Sequence, residues 1–232
     1  LWTGAWIGLG ILSDIFVVFI HLLWRPVEVP ELKKVEKTAD TRVVKGFMLW
    51  LIVAYGFEGL GSIITGTFLV DIIHHIPALT DYAGYSWVVV GLAAVPSAPI
   101  WTVLLEKTSA ITLLVSAYSL QIIGILLPVF SQTVPSVLLS SFLYGLTFVG
   151  IVTLTTAYAR KRYPQQSGVV VSLLTSVYAF GQIIGPLFAG EIVSIYHDQL
   201  AALAFAGAMV TVALTILCVG RMLTVRQEVL SE

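Results

Sequence analysis

Apolar residues run along this chain in blocks longer than the helices of an ordinary soluble core. Seven stretches stand out, at approximately 3–24, 46–70, 84–105, 109–130, 134–158, 168–193 and 199–222. Each reaches the roughly 20 residues that a helix needs to cross the hydrocarbon of a bilayer. Helix stoppers or charges fall in most of the breaks: Arg25-Pro26, Asp81 to Gly84, Glu106-Lys107, Pro128 to Pro135, Arg160 to Pro164 and His197-Asp198. The pattern predicts an all-α fold, a polytopic transmembrane helix bundle with seven spans visible. Residues 1–24 form one span, 25–45 a connection, 46–222 a six-span bundle and 223–232 a tail.

Composition strengthens this reading. Charged residues make up 11% of the chain and hydrophobic ones 58%. A soluble domain carries about 25% charged residues and needs them for its surface. The formal net charge of -1 excludes the basic face that a nucleic-acid partner requires. The single cysteine, Cys218, forms no internal disulfide and says nothing about redox compartment.

Charge then sets the orientation. All 12 Lys and Arg fall on alternate connections of one side: six between spans one and two, Lys107 after span three, Arg160 to Arg162 after span five, Arg221 and Arg226 after span seven. The other side has Asp71, His74, His75, Asp81, His197 and Asp198. The positive-inside rule places the C-terminus in the cytoplasm and the N-terminal end outside. Trp2 and Trp87 then fall at the outer interface, and Trp24, Trp50 and Trp101 at the inner one. The connection PVEVPELKKVEKTADTRVVK reads as a solvated cytoplasmic linker.

The first residues, LWTGAWIGLG, lack an initiator Met and a signal-peptide n-region, and read as a fragment or trimmed chain. Within the six-span block, Glu58-GLGSIITGTF in span two and Tyr144-GLTFVGIVTLTT in span five each place a polar residue before Gly-Leu. The two spans run in opposite directions, which suggests a pair of three-span repeats with inverted topology.

Three further features carry a family resemblance. Gly181-Gln-Ile-Ile-Gly185-Pro186-Leu-Phe-Ala-Gly190 places Gly181 and Gly185 on one helix face, where they admit a neighbouring helix, and Pro186 can bend the helix. Thr102-Val-Leu-Leu-Glu106-Lys107-Thr-Ser109 is a short charged turn between spans. YGFEGLGSIITGTFLV puts Glu58 in mid-span. The first resembles the GxxxGPxxGG signature of the major facilitator superfamily, with Ala189 at one glycine. The second resembles a degraded copy of its cytoplasmic loop signature, with Glu106 for Asp and Lys107 keeping the base. A plain tight turn at the interface remains the other reading. The third is similar to the seventh span of the bacterial YbfB/YjiJ-type branch. The resemblance implies a twelve-span transporter of the bacterial inner membrane. This chain would map onto span six, the central loop and the C-terminal six-span half. The N-terminal half would then be a missing partner.

Asp14, Glu58, Gln121 and Gln182 fall near the middle of four spans, each about 18 Å from an interface at about 1.5 Å per residue. Tyr144 lies near that level, and Thr65 two turns beyond Glu58. A midplane carboxylate costs a few kcal/mol or more, which makes Glu58 and Asp14 functional candidates. Gln121 and Gln182 read equally as interhelical hydrogen-bond partners. Glu58, Gly61, Ser62 and Thr65 share a small polar face suited to lining a cavity. No span interior carries Lys or Arg, so Glu58 must hold a proton, face water, or meet a cation from a substrate or from the absent half.

The function expected is secondary active transport of a small solute, coupled to protons, by alternating access about a midplane site within the lipid bilayer. No cofactor and no metal are expected: Asp71, His74 and His75 sit at the outer end of span two and read as a polar cap. Two other classes fit less well. A seven-span receptor would want a Cys pair on its outer loops or a retinal Lys. A membrane-embedded enzyme would want a nucleophile-base pair or a His/Glu metal cluster at matched depth. None of these is present in the sequence.

Overall fold

The computed structural model describes residues 2–23, 46–74 and 83–230. Seven α-helices follow one another: α1 Trp2–Leu23, α2 Phe47–His74, α3 Ala83–Lys107, α4 Ala110–Phe130, α5 Val134–Arg162, α6 Ser167–Tyr196 and α7 Gln199–Leu230. All seven are long and apolar enough to cross a membrane. The helices α2, α5, α6 and α7 continue three to eight residues past the C-terminal ends read from hydropathy, because a helix does not stop where the hydrocarbon does. The linker 25–45, Trp24, His75 and Asp81 lie outside the described residues.

The chain divides into two compact units, Leu1–Thr41 and Arg42–Glu232. The first holds α1, whose described residues are exposed. The second is a bundle of α2 to α7. Within it α2 packs chiefly on α6 and α7, α5 chiefly on α3 and α4, and α4 also on α7.

Small residues set these contacts, as expected where lipid removes the hydrophobic drive between helices. A Cβ on Gly181 would lie 2.3 Å from the Gly56 carbonyl oxygen, and one on Gly185 2.6 Å from that of Leu60. The pair seen in the sequence therefore seats α6 directly on the α2 backbone. Gly190 has nothing within 4 Å of the same position and is exposed, so the third glycine of that stretch packs on nothing among the described residues. The reason is register: nine residues beyond Gly181, it falls on the outward side of α6.

One proline inside a span is accommodated by a side chain of a neighbouring helix. Pro128 in α4 removes the donor to the Gly124 carbonyl four residues back. Ser140 Oγ of α5 donates to that oxygen at 2.6 Å.

Trp101, expected in the inner aromatic belt, turns its ring toward protein and not toward lipid. It is buried, and its Nε1 donates to the Leu146 carbonyl of α5 at 2.9 Å, an acceptor shared with Ser97 Oγ. Gly150 makes the room, since a Cβ there would meet the indole at 2.2 Å.

Candidate functional site

Glu58 is fully buried. Its helix presents Leu51, Tyr55, Glu58, Ser62, Thr65 and Leu69 inward, at the three- and four-residue steps of one helix face. Leu49, Val53, Thr67 and Asp71 are exposed on the same helix. The polar face expected to line an open cavity therefore packs against the other helices of the bundle. Hydrophobicity alone could not orient it, because a polar face this short gives α2 little amphipathic signal.

The carboxylate meets Gln121 of α4, whose Nε2 donates to Glu58 Oε1 at 3.1 Å. Glu58 Oε2 and Gln121 Oε1 have no hydrogen-bond partner of good geometry, and the Ser62 hydroxyl stands beside the carboxyl. Four tyrosines from four helices stand within electrostatic reach of Glu58: Tyr55 of α2, Tyr118 of α4, Tyr144 of α5 and Tyr178 of α6. Tyr55 and Tyr178 stack, with ring centroids 4.4 Å apart. Tyr178 shares a hydrogen bond with the Ser62 hydroxyl at 3.2 Å, and Tyr144 donates to the Ser62 carbonyl at 2.9 Å. Gly59 lets α6 approach: its Cβ would lie 2.6 Å from the Tyr178 carbonyl oxygen.

The other expected residues separate into two groups. Gln121 and Tyr144 join Glu58. Thr65 is buried on the same helix, and its hydroxyl has no partner. Gln182 is half-buried on α6 and forms no hydrogen bond with this group. Asp14 is exposed on α1, in the other unit. Glu106 and Lys107 end α3 and are both exposed, next to a turn in which Ser109 caps α4 by accepting from the Thr112 N–H at 3.2 Å. Asp71 accepts from Gln199 Nε2 at 3.1 Å, a polar link between α2 and α7. Among the described residues no cluster of His, Cys, Asp and Glu could hold a metal.

Tyr55, Tyr118 and Tyr178 are not found by reading spans for charged and amide groups. Two of them had a signal. Tyr55 precedes Glu58 by three residues and Tyr118 precedes Gln121 by three, so each shares its neighbour's helix face.

A buried acid, an amide from a second helix and a ring of phenols form an interior polar node in an otherwise apolar span bundle. The sequence profile described as "Uncharacterised MFS-type transporter YbfB" matches residues 1–218. The chain belongs to that family. No curated protein matches it. The YbfB-type family is one of transporters, so the protein is an integral membrane transporter of the major facilitator type and not an enzyme.

The match also corrects the mapping onto span six and a separate half: it takes α1 and the six-helix block together. It runs across all seven helices as one stretch, and all seven spans are present from Trp6 to Arg226. No missing half is needed as a partner to account for the seven spans that the match covers. Gln121 gives Glu58 a hydrogen-bond donor, though not a cation.

Proposed function

We propose that this YbfB-type protein moves a small solute across the bacterial inner membrane by secondary active transport, and that Glu58 carries the coupling proton. The observation that carries the reading is the state of the carboxyl: fully buried, held on one oxygen by Gln121, with no hydrogen bond of good geometry to the other. No Lys or Arg lies within the described span interiors. An anion buried there without a cation would cost several kcal/mol, and a proton removes that cost. Opening the α2–α4 contact to water would release the proton, and closing it would favour reloading. Asp14 is the candidate second carboxylate, on α1.

Alternating access would turn about the midplane site, in a six-helix block built from three-span repeats of inverted topology. Two observations support the repeat. Exchanging α2 with α5, α3 with α6 and α4 with α7 maps the chief packing pairs onto one another. Gly59, after Glu58, lies against the Tyr178 carbonyl of α6, and Gly145, after Tyr144, lies against the Val90 carbonyl of α3. The orientation rests on the one-sided placement of Lys and Arg, which puts the end of α7 in the cytoplasm.

The test uses the protein in vesicles loaded with a pH-sensitive dye and exposed to mixtures of small solutes. Glu58→Gln keeps the size and the Gln121 contact but cannot release a proton. Solute-driven proton flux is expected to disappear while passive solute exchange persists. Proton flux in the variant equal to that of the parent would show that Glu58 is not the coupling group.

A further inference from the structure

At the basic end of the bundle, far along α2 from Glu58, two cavities adjoin. The first, of about 170 Å³, lies between the start of α2 and the ends of α5 and α7, and is lined by Gly46, Phe47, Arg162, Arg221, Tyr163 and Thr224 among others. By this measure a single water needs roughly 10–15 Å³, so the space takes a larger group. The second, of about 350 Å³, is lined by Ala110, Ile111 and Ser109 of α4 and by Lys161. Tyr158 and Arg162 border both.

We propose that these cavities bind one membrane phospholipid, its phosphate in the first and its glycerol and first acyl carbons in the second. The inference stands apart from the coupling role of Glu58. Arg162 and Arg221, exposed residues of different helices, both line the smaller cavity, and guanidinium matches phosphate oxygens through paired N–H donors. Neither forms a hydrogen bond or ion pair among the described residues. The helix α2 begins at the same cavity, after Gly46 at φ 60, and its first N–H groups have no partner within the helix. Thr224 turns its hydroxyl proton to the Gly220 carbonyl at 2.8 Å, so it offers the cavity only an acceptor. The larger cavity carries alkyl and ring surface beside Lys161. A free anion needs only the first cavity; a lipid fits the polar and apolar pair. Basic pockets between spans at this level are where anionic headgroups bind.

Native mass spectrometry of the detergent-purified protein tests this with phosphatidylglycerol, with diacylglycerol of the same chains, and with glycerol phosphate. Phosphatidylglycerol is expected to stay bound, diacylglycerol is not, and excess glycerol phosphate does not displace the lipid. Arg162→Gln and Arg221→Gln each lower retention roughly fivefold, the scale of one basic residue near a membrane surface. Arg160→Gln, which lines neither cavity, leaves it unchanged. Monodisperse variants that keep phosphatidylglycerol like the parent would overturn the proposal, as would equal retention of diacylglycerol. Displacement by glycerol phosphate at matched concentration would replace the lipid with a free anion and equally overturn it.

Discussion

Gln121 and Glu58, 63 residues apart in the chain, meet inside the bundle with the amide nitrogen 3.1 Å from a carboxylate oxygen. The contact ties α4 to α2, two helices that pack mainly on other partners. It is a polar cross-link where apolar packing between the two is sparse.

Removing the amide should therefore hurt more than its size suggests. Gln121→Leu removes the amide donor to Glu58 Oε1, and is expected to cost about 1–3 kcal/mol in thermal unfolding in detergent. Glu58→Gln retains an acceptor for Gln121 and is expected to stay within about 1 kcal/mol of the parent. A Gln121→Leu protein as stable as the parent would show the contact to be energetically idle.

The glycines of α6 should differ in their tolerance. Ala at Gly181 or Gly185 forces a Cβ into the α2 backbone at 2.3 and 2.6 Å, and overpacking of this kind costs about 1–3 kcal/mol. Gly190→Ala meets nothing within 4 Å and is expected to be neutral or slightly stabilising. Comparison of the melting temperatures of the three variants decides it.

Ser140 and Pro128 should be coupled through a carbonyl they never share as a covalent neighbour. Ser140→Ala removes the donor to Gly124 oxygen and is expected to cost about 0.6 kcal/mol, up to about 1.7. In a Pro128→Ala background the restored helical N–H serves that oxygen, so the same change should cost less. Equal costs in both backgrounds would break the link.

Trp101→Phe keeps most of the ring but loses the Nε1 donor to the Leu146 carbonyl. Ser97 still serves that oxygen, so the loss is expected to stay near about 1 kcal/mol. Trp101 is also expected to resist quenching by interfacial spin-labelled lipids, because its ring is buried against protein. Strong quenching would place the ring against lipid.

Much of this was legible along the chain. Seven apolar runs gave seven helices at nearly their predicted starts, though four run on past the ends, since a bilayer fixes the minimum span length and a spanning backbone must satisfy its own hydrogen bonds. Glu58 was conspicuous because a carboxylate among apolar residues is costly wherever it points. Gly181 and Gly185 were legible as a packing face, because two small residues four apart admit a neighbour in almost any bundle.

Direction was not legible. A span whose one polar face is short carries little amphipathic signal, so nothing local says whether that side of α2 meets water or packed protein. Glu58 could have lined a cavity or faced the interior, and only the packing of α4 and α6 against it chose the interior. The same holds for Gly190, which continues the motif in sequence but leaves the interface in space, and for Trp101, whose ring takes an interior acceptor instead of facing lipid. Sequence determined how many helices cross and which groups are expensive to bury. Tertiary structure decided which groups meet them, because an interhelical hydrogen bond depends on rotation and register that hydropathy does not encode.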